Sequence, residues 1–224
     1  MLKEGKGDAF VSAGSTGALH VGASLIVRTL KGIKRPALAT MVPAKKQAYL
    51  LLDCGANVEC RPEMLAAFAV MGSCYVNKVE GRRSPSVALA NNGAEESKGT
   101  PMLKEAHQLL KTIPGIRFVG NIEASYIFTG KVADVIVCDG FVGNTVLKMA
   151  EGLYRINKAL GVDNPFWNSM NYEMVGGTPV LGVNAPVIIG HGCSTPLAIK
   201  NMILSTVRCA EADLTGKLKS AFNN

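Results

Sequence analysis

Six times in this chain a short apolar run ends in a loop of glycines and small polar residues, and a helical pattern follows most of them. The loops are Ser12–Gly17, Asp53–Asn57, Asn91–Glu96, Gly120–Glu123, Asp139–Asn144 and Gly190–Ser194. Strand, loop, helix is the βα unit, and its repetition commits a chain to an α/β architecture with a mostly parallel sheet. In open α/β sheets the ligand sits beyond the carboxyl ends of the strands. Six loops of one chemical character therefore predict one composite site for a polar, anionic ligand.

Composition narrows the alternatives. With 224 residues, 48% hydrophobic and 18% charged, the chain can bury a core as a single α/β domain over 1–224 and does not read as disordered. No apolar stretch reaches transmembrane length and no signal-peptide core opens the chain, which points to a cytoplasmic protein. The six cysteines form no CxxC pair and have no zinc-ligand spacing, so they read as reduced thiols, and no metal or cofactor is expected. A net charge of +7 suits an acidic partner or an anionic substrate. Nucleic acid is disfavoured, since aromatics are only 6% and the basic residues are dispersed.

Pattern and punctuation predict strands over Ala9–Ala13, Pro36–Met41, Tyr49–Leu52, Ser86–Ala90, Ile116–Val119, Asp134–Cys138, Val180–Val183 and Pro186–Ile189, the last two joined by a tight turn. Helices are expected over Thr16–Leu30, Glu63–Val79 after a first-turn Pro62, Thr100–Thr112, Val142–Leu160 and Pro196–Phe222. The irregular stretch Gly161–Gly177 reads as a protruding segment.

Each loop carries two readings. In Ser12–Gly17, the residues Ser12, Gly14, Ser15, Thr16 and Gly17 link a strand to a helix start, where backbone amides and the helix dipole favour an anion. A purely structural turn reads the same way, and the loop is neither a Walker A nor a GxGxxG motif. In Asp139–Asn144, with Gly140 and Gly143, the carboxylate and amide are either helix caps or groups facing a ligand. Asp53 and Asn57 repeat that grammar. Lys98, beyond Gly93 and near a helix start, is either part of a solvated charge run or a point charge for phosphate. His191, between two glycines, is a strand-end histidine open to either role, whereas His20 and His107 read as incidental helix residues. No serine sits in a GxSxG elbow and no cysteine is obviously paired with a histidine, so no covalent enzyme nucleophile is required.

Taken together, Asp8–Ala18, Arg35–Leu38, Leu52–Asn57, Phe68–Ser73, Val137–Asn144 and Leu181–Asn184 with His191-Gly192 resemble the bacterial phosphate acyltransferase (PlsX) family in order and spacing over nearly the whole chain. The resemblance implies a three-layer α/β/α fold like that of isocitrate and isopropylmalate dehydrogenases, and a homodimer. It implies transfer of a fatty acyl group from acyl-carrier-protein to inorganic phosphate, giving acyl phosphate for phospholipid synthesis.

There are three departures. Members usually begin with a further N-terminal region, so this chain reads as lacking part of the sheet and as weakly active alone. Asn92 stands where an apolar residue is usual. Gly161–Gly177 is shorter than the excursion many members use at the membrane surface, so membrane contact is expected to be weak and peripheral. An isocitrate-type dehydrogenase and a non-catalytic fragment that binds carrier protein are the alternatives.

In the acyl-transfer reading, the Ser12–Gly17 amides, Asn144 and Lys98 hold anion and oxyanion, His191 protonates the departing thiolate, and Asp139 lies beside them. Asp53, Asn57, Gly93, Gly140, Gly143 and Asn184 complete the expected binding loops.

Overall fold

The computed structural model describes residues 1–129 and 133–223. Among these, eight strands form one sheet: β1 Phe10–Ser12, β2 Ala37–Val42, β3 Tyr49–Leu52, β4 Ser86–Asn91, β5 Arg117–Glu123, β6 Val135–Val137, β7 Thr178–Leu181 and β8 Val187–Ile189. Their spatial order is β1-β8-β7-β2-β3-β6-β4-β5. The run β3-β6-β4-β5 is parallel throughout, and so is the pair β1-β8. Between these blocks β2 runs antiparallel to both β3 and β7, and β7 antiparallel to β8. Every residue of β3 and β6 is buried, because strands covered on both faces need apolar side chains on both.

The helices are α1 Thr16–Gly22, α2 Pro62–Lys78, α3 Pro101–Thr112, α4 Gly140–Ala159, α5 Pro165–Ser169, α6 Tyr172–Val175, α7 Pro196–Glu211 and α8 Leu214–Asn223. Their starts follow local chemistry. Thr100, Asp139 and Thr195 each accept a backbone N–H three residues on, and Pro62, Pro101 and Pro196 occupy first-turn positions where no amide partner is lost. One face of the sheet packs against α2, α3, α7 and α8 through Phe68, Leu110, Met202 and Leu218. The other packs against α1 and α4 through Leu19, Val146 and Leu147. The result is a three-layer α/β fold.

Four boundaries differ from expectation. The helix predicted over Thr16–Leu30 ends its α-helical part at Gly22, continues as a π-helical turn over Ala23–Arg28, and stops where Arg28 takes a φ of 69°. The helix predicted over Pro196–Phe222 breaks into α7 and α8 at Asp213, whose φ is 47° and whose Oδ1 accepts from the Gly216 amide. The Gly120–Glu123 stretch is not a loop, because β5 continues through it beside Leu89–Asn91 after a register irregularity. The β7 strand lies earlier than expected, since Gly182 turns the chain with a φ of 94°.

The irregular stretch forms α5 and α6 and lies against α7. The Asn201 side chain donates to the Glu173 carbonyl at 2.8 Å, and Gly176 fits where a Cβ would sit 2.5 Å from the α7 backbone. Among the described residues, no helix is long and apolar enough to cross a membrane.

Candidate active site

The reversal at β2 separates the two helices that cover one sheet face. The α1 helix follows β1 and α4 follows β6, and a cavity of about 380 Å³ lies between them over β2. Side chains alternate along a strand, so Leu38, Thr40 and Val42 face this cavity. Leu147, Met170, Val175 and Ile189 extend its apolar lining. Thr16, Asn144, Lys148, Glu151 and His191 supply polar groups. A largely apolar cavity with a few polar groups is the usual form of a small-molecule site.

Four of the six predicted loops contribute: Ser12–Gly17 through Thr16, Asp53–Asn57 through Cys54 and Gly55, Asp139–Asn144 through Asn144, and Gly190–Ser194 through Gly190 and His191. They do not converge at one point. The Cys54 amide donates to the Leu38 carbonyl at 2.9 Å, and Gly55 lies against Asn144, which fixes those residues at the Leu38 end. Leu38 pairs with Val180, and Thr178 pairs with Ile189. Continuing that register sets Ile189 level with Thr40, and Gly190 and His191 follow it toward the Val42 end. The two ends are separated by at least two residues of β2, about 7 Å. The site is thus an elongated trough, with Asn144 at one end, His191 at the other and Lys148 between.

Asp53 does not face the cavity. It is fully buried, and its carboxylate accepts from the amides of Leu38, Ala56 and Asn57 and from the Asn57 side chain at 2.6–3.2 Å. Asn57 also donates to the Pro36 carbonyl at 2.9 Å and accepts from the Gly140 amide at 2.7 Å. A Cβ on Gly140 would lie 2.9 Å from the Asn57 carbonyl oxygen, and one on Gly143 would collide with the carbonyl oxygen of Asp53. These glycines let the start of α4 seat against the Asp53 loop. Asp139 caps that helix by accepting from the Val142 amide at 2.8 Å, and Asn144 projects beyond the junction. The Cys54 thiol, on the same wall, is pushed well above its ordinary range, first by burial and then by the Asp53 charge.

At the other end, Gly14, Ser15, Thr16 and Gly17 are exposed. The Ser12 hydroxyl accepts from the Gly14 amide at 3.2 Å, and Ser15 starts α1 without a side-chain cap bond. His191 is exposed, and its Nδ1 lies 3.0 Å from the Cys193 thiol, a pairing the sequence did not reveal.

Two expected groups do not line this cavity. Lys98 follows β4, the parallel neighbour of the β6 strand that leads to Asn144, and it folds over Gly93, where a Cβ would sit 2.6 Å from the lysine Cγ, without lining the cavity. Asn184 donates to the carbonyls of Arg28 and Thr29 at 3.0 Å, closing the turn that ends the π-helical segment. Conversely, the loop motifs leave out Lys148 and Glu151, which line the cavity. They share one helical stripe with Asn144, so extending that motif along α4 would have found them.

The family model described as fatty acid synthesis protein matches residues 1–217. The phosphate acyltransferase of Clostridium acetobutylicum is 43% identical, over 97% of this chain and 71% of that protein. The phosphate acyltransferase of Desulforamulus reducens is 42% identical, over all of this chain and 72% of its own length. Among solved structures, a phosphotransacetylase from Streptococcus pyogenes superposes with a TM-score of 0.67 at 22% identity, over 94% of this chain and 65% of that one. A branched-chain phosphotransacylase from Enterococcus faecalis does so at 0.59 and 15%, over 92% and 75%. These two likenesses concern the fold alone. The near-complete family match and the curated relatives place this chain in the PlsX-type fatty acid synthesis protein family, whose members here are phosphate acyltransferases.

Proposed function

We propose that the trough over β2 holds an acyl thioester and inorganic phosphate together, and that the chain transfers the acyl group from acyl-carrier-protein to phosphate. The observation that carries this reading is the trough itself, with apolar walls for an acyl chain and anion-compatible groups set along them. A phosphate oxygen attacks the thioester carbonyl, a C–O bond forms, the C–S bond breaks, and the pantetheine thiolate leaves and takes up a proton. Phosphate near neutral pH is already nucleophilic, so positioning supplies much of the rate. In this reading the Ser12–Gly17 amides and Thr16 hold an anion at one end, Asn144 donates to developing charge, and His191 delivers the proton to the thiolate. Asp53, Asn57, Gly140, Gly143 and Asp139 shape the wall that carries Asn144.

The family and its curated relatives favour acyl transfer over the dehydrogenase and remnant readings. The likeness to isocitrate and isopropylmalate dehydrogenases belongs to the same proposal, and a strand-by-strand superposition on such an enzyme tests it. The net charge of +7 suits encounter with an acidic carrier. Assembly as a homodimer, and weak contact with a membrane surface, would cover exposed apolar side chains such as Leu25, Ile26 and Leu160. Sedimentation, with and without vesicles, tests both.

The deciding assay mixes long-chain acyl-carrier-protein, phosphate and the protein, and traps acyl phosphate with hydroxylamine. Phosphate-dependent hydroxamate is the expected result. Thiol release that does not depend on phosphate would overturn the assignment.

A further inference from the structure

Asn144, Lys148, Glu151 and Arg155 follow one another along α4 at spacings of four, three and four residues, and so form a single stripe. Lys148 Nζ donates to both carboxylate oxygens of Glu151, at 2.8 and 2.9 Å. Arg155 approaches the same carboxylate at 3.5 Å. The Glu151 side chain is only 13% exposed although its helix is a surface element, because it turns into the cavity wall.

Both spacings stabilise a helix, but helix stability does not by itself place the lysine on the cavity side. A glutamate pairs best with a basic residue placed after it, and Arg155 already fills that position. Lys148 precedes Glu151, the weaker orientation, yet it makes the closer contact and lies on the cavity side. Glu151 thus remains neutralised by Arg155 if the lysine turns to another anion. Lys148 also lies one helical turn from Asn144, at mid-length in the trough, where phosphate would meet a carbonyl whose acyl chain occupies the apolar floor.

We propose that Lys148 is the cation that holds the nucleophilic phosphate, and that Glu151 is its positioning residue. The carboxylate keeps the ammonium against the wall before phosphate arrives, and yields a contact when phosphate docks. This rests on the acyl-transfer reading above but assigns the phosphate to the middle of α4.

The test uses the full chain and inorganic phosphate itself. Broadening of the phosphorus-31 resonance reports binding without chemistry, and acyl phosphate formation at varied phosphate reports turnover. Lys148→Met is expected to shift the broadening to about tenfold higher phosphate, raise the phosphate KM about tenfold and leave the KM for acyl-carrier-protein unchanged, the scale of one lost charge-assisted contact. Lys148→Arg should recover most of the binding. Glu151→Gln should leave the phosphate KM unchanged or lower it, since a nearby negative charge is gone, while kcat falls about fivefold because the ammonium is no longer held in place.

A Lys148→Met variant that broadens phosphate like the parent overturns the assignment. So does a Glu151→Gln variant that raises the phosphate KM in step with Lys148→Met. If the parent binds phosphate through Lys148 yet forms no acyl phosphate, the acyl-transfer reading fails and the phosphate site stands.

Discussion

The Asp53–Asn57 and Asp139–Asn144 loops press against each other with no space for a side chain between them, whereas the Ser12–Gly17 loop stands open at the far end of the same cavity. All three are glycine-bearing turns that follow strands. At the closed junction the glycines are spaces: Gly140 and Gly143 admit the Asn57 and Asp53 carbonyls, and four hydrogen bonds hold the buried Asp53 carboxylate. At the open end, nothing lies within 4 Å of a Cβ placed on Gly17, and the loop faces solvent. One local grammar thus builds a rigid wall in one place and an accessible edge in another. What decides between them is which other loop the sheet order brings alongside.

Gly143→Ala should do the most damage. The added methyl meets a main-chain oxygen that the Asp53 hydrogen bonds hold still, so a stability loss of at least about 3 kcal/mol is expected in denaturant unfolding. An alanine variant as stable as the parent would mean the junction can open, and the contrast between the two ends would collapse. Asp53→Ala comes next. It strands three backbone donors beneath the wall, and a loss of about 2–3 kcal/mol is expected, with little change in activity per folded molecule.

Asp139→Ala and Asn144→Ala separate cap from site within one loop. Asp139 caps α4, so its removal should cost about 1 kcal/mol. Asn144 is exposed in the trough, so its removal should leave stability within about 0.5 kcal/mol while turnover falls about tenfold. Equal losses of melting temperature and turnover in Asn144→Ala would move that residue from the site to the wall.

The sequence exposed the succession of strands and helices because burial writes itself into apolar runs, as in the Tyr49–Leu52 and Val135–Val137 strands. It exposed the helix starts at Pro62, Thr100 and Pro196 because capping and first-turn chemistry are local. The ends at Arg28 and Asp213 were hidden, since each is a non-glycine residue in a left-handed conformation set by its surroundings. The trough was half legible. The loops were recognisable, but which of them meet depends on the antiparallel placement of β2, a non-local choice that no loop motif records. Lys98 and His191 carried equal weight as sequence. In the folded chain His191 lines the cavity and Lys98 does not.

Gly17→Ala should have the smallest effect, and it probes the open end most directly. Gly17 lies in the first turn of α1 with ordinary helical geometry and open space where the methyl would go, so the folded state accommodates alanine without strain. Alanine also restricts the unfolded chain, and a gain of about 0.5 kcal/mol is expected in denaturant unfolding. The same methyl narrows access to the amides of the Ser12–Gly17 turn, so the phosphate KM should rise about threefold if those amides take part in holding the anion. A clear loss of stability would show that this turn is packed like the Asp53–Asp139 junction. A stable variant whose phosphate KM does not move would keep the contrast in packing but remove the turn from the anion's shell, leaving the phosphate to the stripe of α4.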